Sequence, residues 1–393
     1  MDRVRLWTAA IFLFVFGDAM AMQARGPILA PLERTFGVSE SVLGLVAPAG
    51  TAGFVVVVVA TGLLAGRISV QRTLLVSVVA VAVALVAMAA APLYVVFLLA
   101  LLAQGAAAGA FRGVDRVVLS HLYAGRRGRV YTAYALMWAV GAVAGPQLVS
   151  AVLAVADWRA VFLVLVFSFV PTAVVAGRVD LPEMTAERSL SLSAFGTLLR
   201  RPSVVGSCTG LLLFGAVEGI MFTWLSYYAS QFAATTTANL LLSAYLLAYI
   251  PARFGYTLAV DRVPYLALVL AVVLPAIPAL VVVLTVSGQA GPVLFLAVFV
   301  AGAGLSSGFP ILSAYAVEAA PAYTGPLNAL TTGATYTGIA VGPAVVGVLA
   351  ELYGIGQALW LAVAIAGVLF VTIAGTWLWT GTATAPTVTM ASD

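Results

Sequence analysis

GAVAGP at residues 141–146 and GIAVGP at residues 338–343 lie 197 residues apart, and their reading decides the fold. Each sits in an apolar run long enough to cross a bilayer, which takes about 20 mainly apolar residues. Two further matches keep nearly the same offset. Gly105 and Gly109 are four residues apart, as are Gly304 and Gly308, 199 residues later. GLLAGR (62–67) and TLAVDR (257–262) are 195 apart. Such a shared register points to a duplicated unit inside a membrane.

Composition agrees. Of 393 residues, 63% are hydrophobic and 8% charged, and mean hydropathy is +1.13. A soluble domain is about 25% charged, so lipid is the solvent of this chain. Twelve spans are read at about 7–32, 41–65, 73–91, 94–121, 130–155, 158–177, 203–231, 237–260, 264–287, 291–319, 326–350 and 355–380. The longest polar connection falls at the midpoint. The expected organisation is a bundle of six helices at 1–178, a cytoplasmic linker at 179–202, a second bundle at 203–380 and a disordered tail at 381–393. The charged-then-apolar start resembles a signal peptide, but the apolar run continues past Asp18, so a retained first anchor is expected.

All 18 basic residues are arginine. With the N-terminus in the cytoplasm, twelve arginines of loops and termini fall inside and only Arg34 and Arg159 outside. Both termini are therefore expected in the cytoplasm, in a cell membrane. The cations are scattered over short loops, which excludes a nucleic-acid face despite a pI of 9.3. Without lysine no GxxxxGK[ST] phosphate loop exists. One cysteine (Cys208, read as a small buried hydrophobe) and one histidine form no metal cluster. No cofactor, metal or enzymatic chemistry is expected.

The remaining arginines, Arg25, Arg112, Arg116 and Arg253, lie within spans, where a charge at a helix centre costs roughly 2.5–3.5 kcal/mol. Asp18 and Arg25, in FGDAMAMQARGP (16–27), are nearly two turns apart on one face with Met22 between them. RGVDR in span 4 puts Arg112, Asp115 and Arg116 on one face. These five groups are expected to form a ladder facing a central cavity lined by spans 1, 4, 7 and 10. Spans 3, 6, 9 and 12 carry no charge inside their apolar stretches and are expected to face lipid. In the second half, Glu218 is a candidate proton or substrate group. Tyr245, Tyr249 and Arg253 recur every four residues on one face of span 8. Glu318 and His121 lie near inner ends and are read as gate or interface residues. Trp138 and Trp224 are read as packing or interface residues rather than ligands. Gly141, Gly145, Gly338 and Gly342 allow close helix approach, and Pro146 and Pro343 bend their helices.

Twelve spans in two similar halves, the midpoint loop, G-x-x-x-G-P in span 5 and WRxxF (Trp158, Arg159, Phe162) resemble the major facilitator superfamily. The family's loop 2–3 signature is roughly G-x-L-A-D-R-x-G-R-R. Here it survives as Gly62, Leu64, Ala65, Gly66 and Arg67, with Gly66 in place of the acid. Loop 8–9 keeps the acid as Asp261–Arg262. Of the family's R-x-x-Q-G in span 4, Leu101 replaces the arginine and Gln104 and Gly105 remain. The resemblance implies alternating access by two rocking bundles, with Gly66, Arg67, Asp261 and Arg262 as gating residues.

The functional expectation is a proton-coupled secondary transporter of a small organic solute with an anionic group, acting as a monomer in lipid. Asp18, Asp115 and Glu218 would handle protons. Arg25, Arg112, Arg116, Met22, Tyr245, Tyr249 and Arg253 would meet the solute. The alternatives are a proton-coupled efflux antiporter for hydrophobic compounds, which the span 5 motif favours in the resemblance, and a lipid flippase or non-transporting receptor.

Overall fold

The computed structural model describes residues 3–64, 68–123, 126–181, 196, 198–286 and 291–381. Among them the regular structure is helical, as a bilayer demands, because helices satisfy their backbone groups internally. The first half holds α1 (Arg3–Gln23), α2 (Leu29–Phe36), α3 (Glu40–Leu43), α4 (Val46–Leu63), α5 (Val70–Ala89), α6 (Tyr94–Arg112), α7 (Asp115–Leu122), α8 (Arg127–Leu153) and α9 (Arg159–Arg178). The second holds α10 (Pro202–Ala229), α11 (Thr235–Leu247), α12 (Tyr249–Ala259), α13 (Tyr265–Thr285), α14 (Pro292–Leu305), α15 (Gly308–Ala319), α16 (Thr324–Tyr353), α17 (Ile355–Ala358) and α18 (Trp360–Thr380). "Inner" and "outer" below follow the side assignment that the arginine bias predicts.

Eleven helical stretches among the described residues are long and apolar enough to cross a membrane. The span expected at 237–260 is instead two shorter helices, α11 and α12, meeting at Ala248. Pro251 explains the interruption: it has no N–H to give the Leu247 carbonyl. Ala248 keeps helical dihedrals (φ −58°, ψ −25°), and its carbonyl still accepts from Ala252 N at 3.2 Å, so the chain direction carries through. Proline acts likewise elsewhere. Pro27 leaves the Gln23 carbonyl without its helical donor, and α1 ends there in a run of turns. Pro310 frees the Ser306 carbonyl between α14 and α15, and Arg253 Nε takes it at 3.2 Å.

The repeat read in the sequence does the same work in both halves. A Cβ on Gly141 or Gly145 of α8 would strike the carbonyls of Phe16 and Met20 in α1. One on Gly338 or Gly342 of α16 would strike those of Leu212 and Ala216 in α10. Gly105 of α6 presses on the Gly50 carbonyl of α4 in the same way. Its counterpart is Gly302 of α14 on the Tyr245 carbonyl of α11, not Gly304 as the spacing suggested. Gly304 meets Val272 of α13, and Gly308 meets the Phe214 ring. Only Gly304 and Gly308 keep the four-residue spacing, yet the carbonyl contact marks Gly302 as the counterpart of Gly105.

The helices of each half pack mainly among themselves; the halves meet where α8 borders α11 and where α3 and α4 border α16. The hydrogen bonds joining them, among the described residues, all lie in the outer part. Gln147 Nε2 donates to Ser243 Oγ at 2.9 Å, and Ser243 Oγ donates to the Val143 carbonyl at 2.9 Å. Asn239 Nδ2 donates to Ser150 Oγ at 2.9 Å, Tyr227 OH to Glu33 Oε2 at 3.0 Å, and Ser39 Oγ to Glu351 Oε2 at 3.0 Å. The bundle is thus sealed on the outer side. Burial partly follows the expected ring of central helices. Spans 7, 10 and 4 are buried over 67%, 61% and 56% of their apolar windows, against 33% for spans 6 and 12. Span 1 does not stand out: it is 44% buried, like spans 3 and 9.

Candidate functional site

Two polar clusters stand at mid-depth, one in each half. In the first, Arg112, the last residue of α6, reaches two acids. Its Nη1 lies 3.3 Å from Asp18 Oδ2 on α1, and its Nε 3.6 Å from Asp115 Oδ2 at the start of α7. Gly113 and Val114 interrupt the helix between Arg112 and Asp115. Tyr134 of α8 donates to the same Asp115 oxygen at 2.5 Å, and its ring lies under Arg112 and Arg116, at 5.2 and 5.6 Å. Asp115 is wholly buried, and its other oxygen, Oδ1, has no hydrogen-bond partner among the described residues. Of the five groups expected to form a ladder, Asp18, Arg112, Asp115 and Arg116 come together here, with Tyr134 added, and Arg25 does not join them. Arg116 is exposed despite its place within a span.

Arg25 stands apart. Its Nη2 donates to Gln104 Oε1 at 2.8 Å, and the guanidinium lies flat against Gly50 of α4. Among the described residues it makes no ion pair; Asp18 lies within its electrostatic reach without touching it. Met22 is half-buried between them. Gln104, named above only as a remnant of a family pattern, is thus the residue that holds Arg25.

The second cluster carries an acid without an ion pair among the described residues. Glu218 of α10, 6% exposed, accepts a hydrogen bond from Tyr249 OH. The Tyr245 and Tyr249 rings are 5.7 Å apart, and Arg253 lies 5.0 Å over the Tyr249 ring. Arg253 also lies 6.0 Å over the ring of Trp138 in the other half. Tyr245, Tyr249 and Arg253 lie together as their spacing suggested, Glu218 joins them, and Trp138 meets Arg253 from the other half.

The profile of the Major Facilitator Superfamily matches residues 11–238, more than half the chain. The chain belongs to the Major Facilitator Superfamily. It is a multi-pass membrane transporter, not an enzyme, by that membership. Solved structures of this fold superpose over nearly its whole length. A crystal structure of a bacterial homolog of the human lysosomal transporter Spinster, inward-facing and unoccupied, is 14% identical and covers 96% of this chain and 98% of its own, with a TM-score of 0.77. A structure of the nucleoside transporter NupG is 15% identical and covers 96% and 99%, with a TM-score of 0.77. At such identity the likeness shows the fold alone. No curated protein matches the sequence at a significant level.

The superfamily's inner-loop residues are less complete here. Gly66 and Arg67 lie outside the described residues. Asp261 and Arg262 are exposed at the inner end of α12. Next to them, Tyr265 OH donates to Glu318 Oε1, linking α13 to α15. His121 Nδ1 lies 3.0 Å from the Val117 carbonyl, within its own helix. Trp224 packs as expected, its Nε1 donating to the Pro343 carbonyl at 3.0 Å. Cys208 is only half-buried, not fully buried as read above.

Residues that sequence reasoning missed are Tyr134 and Tyr336. Tyr336 of α16 stacks on Phe54 of the other half, with ring centroids 4.6 Å apart and planes at 27°. It lies within electrostatic reach of Asp18 and Arg112 on one side and Glu218 on the other. The need for Tyr134 was implicit, since a buried carboxylate such as Asp115 requires donors. Nothing in the local sequence marks Tyr336.

Proposed function

We propose that this transporter moves a small organic anion together with a proton by alternating access. The observation that supports this is the loose grip of Arg112 on Asp18, at 3.3 Å. Strong guanidinium–carboxylate bonds are about 2.7–2.9 Å. A proton arriving on Asp18 removes its charge and weakens that pair. The freed Nη1 then donates to the solute's carboxylate in its place, while Nε stays with Asp115. Proton and anion bind together because each makes room for the other. Arg25, which has no acid of its own, holds the local field positive.

Reconstituted into liposomes with a pH gradient and offered a small carboxylate, a neutral sugar and a lipophilic cation, the protein should accumulate the carboxylate alone. Arg112→Ala should abolish that flux, and Arg25→Ala should lower it. Carboxylate movement equal to wild type in both variants would rule the reading out. Efflux of lipophilic cations is the second reading, favoured by Glu218, a buried acid without an ion pair among the described residues. Accumulation of the cation alone would select it.

A further inference from the structure

The Phe54–Tyr336 stack is mounted with care. The Phe54 carbonyl abuts Gly109, three residues before Arg112 on α6. The Thr335 carbonyl, one residue before Tyr336, abuts Gly215, three residues before Glu218 on α10. Each ring is therefore held by a backbone contact about one helical turn from its half's mid-membrane charge. One jaw sits at the level of Arg112 and the other at the level of Glu218. Both rings are only half-buried. They meet in the centre of the molecule, inward of the hydrogen bonds that seal the outer side.

Two stacked rings, tilted by 27° and contributed by opposite halves, have a property that a one-sided aromatic wall lacks. When the halves part, the stack opens into a slot with a π-face on each side. A planar ring entering it replaces one stacked pair by two. A puckered ring of equal size presents no flat face to either jaw. We infer that Phe54 and Tyr336 form a clamp for a planar ring of the solute, whose carboxylate is held by Arg112; the solute class is an aromatic carboxylate. The inference rests on the anion reading above and narrows it.

Benzoate and cyclohexanecarboxylate share charge and size and differ in planarity. Radiolabelled benzoate is bound to purified protein at about pH 6, where both acids are mostly ionised, and displaced by either unlabelled anion. Wild type should prefer benzoate by about five- to tenfold. Phe54→Leu and Tyr336→Leu should bring that ratio near one, while Tyr336→Phe and Tyr336→Trp should keep it, since both retain a π-face. A wild-type ratio near one overturns the clamp directly, with no variant needed. A preference that survives both leucine variants, with thermal unfolding showing them folded, overturns it as well. Binding of neither anion by wild type removes the anion reading itself, and the clamp with it.

Discussion

The two halves share a scaffold and differ in chemistry. Gly141 and Gly145 seat α8 on α1 just as Gly338 and Gly342 seat α16 on α10. The charged positions follow no such symmetry. The first half gathers Asp18, Arg112, Asp115 and Arg116 around Tyr134, whereas the second pairs Glu218 with a tyrosine hydroxyl. In the register of the glycine contacts, Glu218 corresponds to Met22 rather than Asp18. Duplication accounts for the packing. The candidate site stands on positions that the repeat left free to differ.

The sharpest way to break the comparison is Arg112→Ala. It strands two buried acids, so thermal unfolding in detergent should register a loss on the order of 3–5 kcal/mol, together with loss of transport. No single substitution in the Glu218 cluster should cost as much, because no ion pair is broken there. Next comes Asp18→Asn, which imitates the protonated acid. Anion binding should become independent of pH and, at about pH 8, be roughly tenfold tighter than wild type, worth about 1.4 kcal/mol. Exchange should persist while gradient-driven accumulation is lost. Titration calorimetry and liposome flux read the two effects separately. Unaltered accumulation would take Asp18 out of the proton path.

Tyr134→Phe and Tyr249→Phe form a matched pair. Each removes one donor from a buried carboxylate, at a cost of about 1–3 kcal/mol. The Tyr134 change should be the larger, because Asp115 already has an unpartnered oxygen, Oδ1. Equal shifts in unfolding would mean that the two clusters are energetically alike despite their different composition. The smallest effect belongs to the outer seam. Asn239→Leu removes one hydrogen bond within the membrane, worth about 0.6 kcal/mol. It should leave the melting temperature nearly unchanged and raise reactivity of a cysteine placed at Leu153, at the outer end of α8, toward an impermeant thiol reagent.

Much of this was legible before any coordinates. The glycine repeat announced the paired helices, because small residues at fixed spacing leave a trace along the chain. The intramembrane charges announced the two clusters, because a charge in an apolar run is conspicuous. The partners left no comparable trace. Tyr134, Tyr336 and Gln104 are ordinary residues of membrane helices, and what gives them meaning is contact with Asp115, Phe54 and Arg25 across 19, 282 and 79 positions of sequence. The break at Ala248 was visible in principle, since Pro251 names the carbonyl it leaves bare. Proline is common enough in membrane helices that its presence alone did not say which helices would part.

The glycine contacts have a mechanical consequence. They weld α1, which bears Asp18, to α8, and α8 forms the seam with α11. They weld α6, which bears Arg112, to α4, and α4 meets α16 through Phe54 and Tyr336. Each charge-bearing rod is thus bolted to a rod that borders the opposite half. Backbone contact alone joins each charge to the seam, like the pivot of a lever, with no relay of side chains between them.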